Sequence, residues 1–320
     1  MITLEESEES DINWNKRLLD STTGSTFQTQ EFADYVSESL NAQTIFLKFL
    51  TVDGNIVGQI MLYIPENKKQ NSLLKKIFKK KICRWTYGPV IFEKNYTNEI
   101  MKSFTNYLKQ KNFLLNGSEH PLNPSIFNYV KNSFTIKPWS TFLIDLNQDK
   151  DTIWNKLDKH SARKNIIRSK NKNVVIKIME RTDLSLFNEL RNEKINNKEN
   201  INLSVLELHW NKLKPIGWNG FMAFHENIPV GGIMVSFFNG YINESGIVRS
   251  QIDFDLKLYA QDLLKWKIIE WGIENNQRFY DLTGINPNPK TDKELGIFRY
   301  KKKWGGNLVN YNLISGRFIS

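Results

Sequence analysis

One cysteine, Cys83, occurs in 320 residues. An internal disulfide and any cysteine-rich metal site are therefore excluded. The four histidines, His120, His160, His209 and His225, stand far apart, with no pair at metal-ligand spacing. No HExxH, no GxSxG, no GxxxxGK followed by Ser or Thr, and no GxGxxG after a strand occurs. These absences argue against zinc hydrolysis, a serine nucleophile elbow, nucleotide hydrolysis and dinucleotide binding, respectively. No apolar run approaches the roughly 20 residues that a membrane span requires. The opening MITLEESEESD is acidic and has no apolar stretch, so it does not read as a secretory signal. A reducing cytoplasm is the expected setting.

What is present is an apolar pattern and a surplus of positive charge. Hydrophobic residues make up 40% and aromatics 12%, which is the balance of a folded chain. The net charge of +10 favours polyanionic partners such as nucleic acid, phosphate-bearing substrates or an anionic membrane face.

Two stretches share one pattern. GNIVGQIMLYI, from Gly54, and NIPVGGIMVSF, from Asn227, both read Asn-Ile, then Val-Gly, then Ile-Met. Each follows an apolar strand, across Asp53-Gly54-Asn55 in the first case and Glu226-Asn227 in the second. Downstream, Ile100, Met101, Phe104, Tyr107 and Leu108 fall on one helical face and lead into NFLLNGS. Leu256, Leu263, Leu264, Ile268 and Trp271 predict a longer helix that leads into RFYDLTG. The shared order of elements predicts two similar α/β domains, 1–138 and 139–320, divided near Lys137-Pro138-Trp139. After that division, STFLIDL reads as a strand. DTIWNKLDKHSARKNIIRSK reads as one helix with Asp151 at its start, and VVIKIME as the next strand.

Basic residues cluster in three places. Lys68 to Arg84 holds eight basic residues and no acidic one, which predicts a basic insertion over about 66–82. With Leu73, Leu74, Ile77 and Phe78 at helical spacing, it also reads as an amphipathic helix for an anionic membrane. Peripheral contact at the inner membrane face is the corresponding expectation. The second cluster is Lys159 to Lys172. The third, GIFRYKKKWGG, carries Lys301, Lys302 and Lys303 between Tyr300 and Trp304. Read as an extended strand, it puts Lys301 and Lys303 on one face and Lys302 on the other.

With the usual nucleophiles missing, the chemistry left is acyl transfer to an amine carried by the substrate, driven by positioning and charge stabilisation. It requires a donor to the carbonyl oxygen and an acceptor for a proton. A lysine such as Lys301 supplies the first. Asp281 or Glu244 could supply the second, and a strand-end cap remains an equal reading of Asp281.

The chain resembles the FemABX family, peptidyltransferases that attach amino acids to bacterial cell-wall precursors. The likeness lies in FLIDLNQDKDTIWNKLDKHSARKNIIRSKNKNVVI, IPVGGIMVSF, LLKWKIIEWGIENNQRFYDLTG and GIFRYKKKWGGNLVNY. In the first half it lies in TFQTQEFADYV and YGPVI. The resemblance implies mixed α/β sheets in two tandem GNAT-like acyltransferase domains. It implies transfer of an aminoacyl group from aminoacyl-tRNA to an amine on a phosphorylated envelope precursor, with no metal and no bound cofactor. On this likeness Lys301 is the catalytic lysine near the transferred group; Asp281, as the proton acceptor read above, is the second catalytic candidate. Arg84, Tyr87, Gly88, Lys164, Tyr241, Arg249 and Lys303 are the expected substrate-binding residues. The sequence departs from the family where an Asp often follows GPV by two residues: Phe92 stands there, then Glu93.

Related acetyltransferases cradle the CoA diphosphate in a glycine-rich loop before a helix. Here RSQIDFDLKLYAQDLL has no glycine and three acids, Asp253, Asp255 and Asp262, which argues against CoA in the second domain. Two rivals stay open: a CoA-dependent N-acyltransferase of envelope polysaccharide synthesis, and a non-catalytic nucleic-acid-binding protein.

Overall fold

The computed structural model describes residues 2–66, 81–194 and 202–317. Of the basic insertion expected at about 66–82, residues 67–80 lie outside them. The chain divides into two compact units, one of Met1–Ser140 with Asn310–Ser320 and one of Thr141–Val309.

The first unit opens with β1 (Thr3–Ser7), α1 (Trp14–Leu19) and α2 (Gln30–Leu40). An antiparallel hairpin of β2 (Gln43–Leu50) and β3 (Ile56–Ile64) follows. Its turn needs glycine, because Gly54 has φ +80°. Next come β4 (Ile82–Arg84), β5 (Val90–Ile91), α3 (Thr97–Gln110) and β6 (Leu114–Ser118). β4 pairs antiparallel with β3 and parallel with β6. The α3 face of Ile100, Met101, Phe104, Tyr107 and Leu108 is buried throughout, as its spacing predicts. Phe104 meets Phe49 and Trp85 edge-on, with ring centroids 6.2 and 5.6 Å apart. Gly117 on β6 lies directly under Trp85, and a Cβ there would sit 1.9 Å from the indole. Gly117→Ala must therefore displace a buried tryptophan. We expect a loss of about 1–3 kcal/mol, measured by urea denaturation.

The second unit runs β7 (Thr135–Asp145, from Thr141 onward), α4 (Lys150–Lys156) and α5 (Lys164–Asn171). It continues with β8 (Val175–Ile178), α6 (Asp183–Lys194) and α7 (Leu203–Gly217). The central strands β9 (Trp218–His225), β10 (Ile228–Phe238) and β11 (Tyr241–Arg249) are antiparallel in sequence. Glu226 and Asn227, with φ of 49° and 64°, form the two-residue turn between β9 and β10. α8 (Gln251–Asp255) and α9 (Ala260–Glu274) lead to β12 (Phe279–Asp281), which pairs parallel with β11 and antiparallel with β7. α10 (Asp292–Lys302) and the start of β13 (Asn307–Gly316) follow; from Asn310 onward β13 belongs to the first unit, where it pairs antiparallel with β6. Both units thus contain antiparallel strands, a crossover helix and a parallel return strand.

Three sequence expectations are corrected here. The long helix begins at Ala260, not near Leu256, which ends the separate short helix α8. The single helix expected from Asp151 is broken: Asp149 caps α4, Leu157 leaves the helical region, and Asp158 caps a π-helical turn, Lys159–Arg163, before α5. The extended reading of GIFRYKKKWGG also fails. A capping box of Thr291 and Glu294 starts α10, and the helix carries the segment through Lys302.

Candidate active site at a buried lysine cluster

α10 decides which of the three lysines enters the protein. Successive helical residues are turned by about 100°. Lys301 is 9% exposed, Lys302 is exposed and Lys303, just past the helix, is half-buried. The double glycine then lets the chain turn closely against its neighbours. Gly305 has φ +71° and a Cβ would lie 2.4 Å from the Lys156 carbonyl oxygen; one on Gly306 would lie 2.7 Å from that of Leu143.

The Lys301 ammonium donates to the Thr283 carbonyl at 3.1 Å, the Thr283 hydroxyl at 3.3 Å and the Gly284 carbonyl at 3.3 Å. Thr283 is held with φ +64°, a left-handed conformation costly for a β-branched residue. Asp281 supports that turn. Its Oδ1 accepts the Thr283 N–H at 2.7 Å and the Thr141 hydroxyl, and its Oδ2 accepts the Tyr241 hydroxyl at 2.6 Å and the Asn243 amide at 3.2 Å. A fully buried carboxylate with four donors is satisfied, and its effect is to order the turn that meets Lys301.

Tyr241 and Asn243 lie on one face of β11, so Glu244 lies on the other. There Glu244 Oε1 accepts from Lys265 of α9 and from the Tyr280 hydroxyl. Glu244 Oε2 is buried with no hydrogen-bond partner among the described residues. A bulge at β11 accompanies this carboxylate: Glu244 and Gly246 face consecutive residues Val235 and Met234. Burial pushes the Tyr280 phenol well above its ordinary range, and the adjacent Glu244 adds to this, so Tyr280 remains a donor.

Lys303 pairs with Asp262 of α9 and stands 4.2 Å from the Tyr300 ring centroid. Asn165 of α5 donates to the other Asp262 oxygen at 3.2 Å. Burial draws both the Lys301 and the Lys303 ammonium below the ordinary lysine value; Glu244 opposes this at Lys301 and Asp262 at Lys303. Burial likewise raises the Asp262 carboxyl, against the pull of Lys303.

Of the sequence-predicted residues, Lys301, Asp281 and Tyr241 thus gather around one turn. Lys303 is turned instead to Asp262 of α9. Arg249 is turned to Asp253 and covers the Phe254 ring. Lys164 is exposed on α5, beside an open concavity of about 460 Å³ that Trp154, Arg163 and Arg168 also line. Arg84, Tyr87 and Gly88 lie in the first unit. There Arg84 stands opposite Tyr63 across the β3–β4 pair, the Tyr87 ring packs 4.8 Å from that of His120, and the Gly88 N–H donates to the Ser118 carbonyl at 3.1 Å. Sequence reasoning missed Lys265, Asp262 and Tyr280. A lysine set among Leu263, Leu264, Trp266, Ile268 and Ile269 is the signal that could have marked the buried pair.

No protein-family model matches the chain, and no curated protein matches it. Solved structures do. A structure of FemX aligns over 97% of this chain and 97% of its own, with a TM-score of 0.72 and 12% identity. L-PGS from Bacillus licheniformis aligns over 98% and 94%, with 0.60 and 11%. A tandem GNAT protein from the clavulanic acid biosynthesis pathway aligns over 98% and 97%, with 0.57 and 11%. At such identities the likeness establishes the fold: this is a mixed α/β chain of two tandem GNAT-like domains. Among the described residues, no helix is long and apolar enough to cross a membrane.

Proposed function

We propose that this chain is an N-acyltransferase of the FemABX type, moving an aminoacyl group from aminoacyl-tRNA to an amine on a phosphorylated cell-envelope precursor. The observation that carries this reading is Lys301, a buried ammonium held by three neutral oxygens at a strained turn, in a tandem GNAT-like fold. The resemblance in sequence and the surplus of positive charge support it.

In the proposed reaction the acceptor amine attacks the ester carbonyl. A C–N bond forms, the ester C–O bond breaks, and the released tRNA hydroxyl ends with the proton that the amine loses. Lys301 turns one of its shared N–H bonds to the carbonyl oxygen as negative charge develops there. Of the two carboxylates, Glu244 has an oxygen without a donor among the described residues, so we assign it the passing proton. Asp281 acts as a positioning residue. The expected test result is a tRNA-dependent gain of one aminoacyl mass on an envelope precursor, read by mass spectrometry. Turnover of acyl-CoA with no tRNA-dependent product would sink the reading.

The alkaline limb of the rate supplies a second check. Lys301 acts as the protonated donor, and burial lowers its pKa below 10.5. Activity should therefore fall as pH rises through that lowered value. Lys301→Arg keeps a charge that does not titrate there, so its reduced activity should lose the alkaline limb. A limb unchanged in Lys301→Arg would assign it to another group.

A further inference from the structure

A long helix that follows the central strands presents unpaired N–H groups and a positive dipole end, a natural seat for a diphosphate. In this chain that seat is taken. Asp253, seven residues before Ala260, is fully buried, and its Oδ1 accepts the Ala260 N–H at 3.0 Å. Its Oδ2 accepts from Arg249 Nε. The loop is tied around it: the Asp253 N–H donates to Ser250 Oγ at 3.1 Å and the Leu258 N–H to the Asp253 carbonyl at 3.0 Å. Tyr259, at the cap position with φ +58°, offers no side-chain cap of its own. The first turn adds a second carboxylate, Asp262, already paired with Lys303. An incoming diphosphate would have to displace one buried anion and approach another.

We propose that Asp253 is a resident anion that closes the start of α9 to diphosphates. It makes this unit select against acyl donors that carry one, CoA thioesters among them. The consequence for the donor rests on the acyltransferase reading; the closed helix end does not. This end then accepts only a donor whose acyl group arrives without a diphosphate beside Ala260.

The test follows the Ala260 and Gln261 amides by NMR in the full chain, titrated with inorganic pyrophosphate and with acetyl-CoA. In the native protein these amides should not move. In Asp253→Ser, which opens the seat, they should move saturably, with pyrophosphate bound about tenfold tighter or more. Asp253→Asn keeps an acceptor for Ala260 but drops the charge, and should fall between. Saturable movement in the native protein overturns the proposal, as does a folded Asp253→Ser with no gain. Should Asp253→Ser fail to fold, the native protein and Asp253→Asn decide, and equal behaviour of the two counts against it. Loss of tRNA-dependent transfer with still amides would reject the functional reading alone.

Discussion

Lys301→Ala is expected to lower turnover by about 10²–10³-fold, the usual cost of removing one donor from a developing oxyanion. Among the described residues Lys301 hydrogen-bonds only neutral oxygens, so its charge is available to the substrate. The loss should fall on kcat, with KM little changed, because the bond to the carbonyl strengthens as charge builds. The fold should survive, since shortening the side chain frees two carbonyls and a hydroxyl that water can reach at a half-buried turn. Steady-state kinetics with a melting curve on the same sample checks both halves. A drop confined to KM would make Lys301 a binding group, and an unaltered rate would remove it from the chemistry.

Lys265→Ala should be the most destabilising of the substitutions considered, by about 3–5 kcal/mol. Lys265 and Glu244 are 1% and 2% exposed in their side chains, so bulk water does little to replace the lost ammonium. The cost comes from the unpaired charge, more than from the lost attraction. Replacing both partners, Glu244→Leu with Lys265→Met, should therefore recover most of the stability while abolishing activity if Glu244 carries the proton. Urea denaturation of the two single variants and the pair measures this. A double variant no more stable than Lys265→Ala would mean that the pair is needed for packing in its own right.

Much of the fold is legible in the sequence, for physical reasons that act locally. The hairpin repeat is written in Gly54 and in the turn-forming Glu226 and Asn227, and the α3 face in a 3.6-residue spacing. The lysine run was misread because Phe298 and Tyr300 alternate with polar residues as they would in a strand. The Thr291–Glu294 capping box, a helix start visible in the sequence, outweighs that pattern. The break at Leu157 carried a signal too, since Asp158 is a good cap, but the basic run after it reads equally well as a continuous helix.

The sequence alone, then, determined the class of architecture and narrowed the chemistry. Periodicity and turn residues act over a few positions, and the missing cysteines, histidine pairs and glycine loops are visible by inspection. Only the tertiary structure decided what each charged group does. Asp281 and Glu244 are both acids in apolar strands, yet one receives four donors and the other keeps a bare oxygen. Asp253 reads as one acid among three until the fold sets it against the Ala260 amide. Burial and pairing arise from segments far apart in the chain, and in a low-dielectric interior they fix the role of a charge.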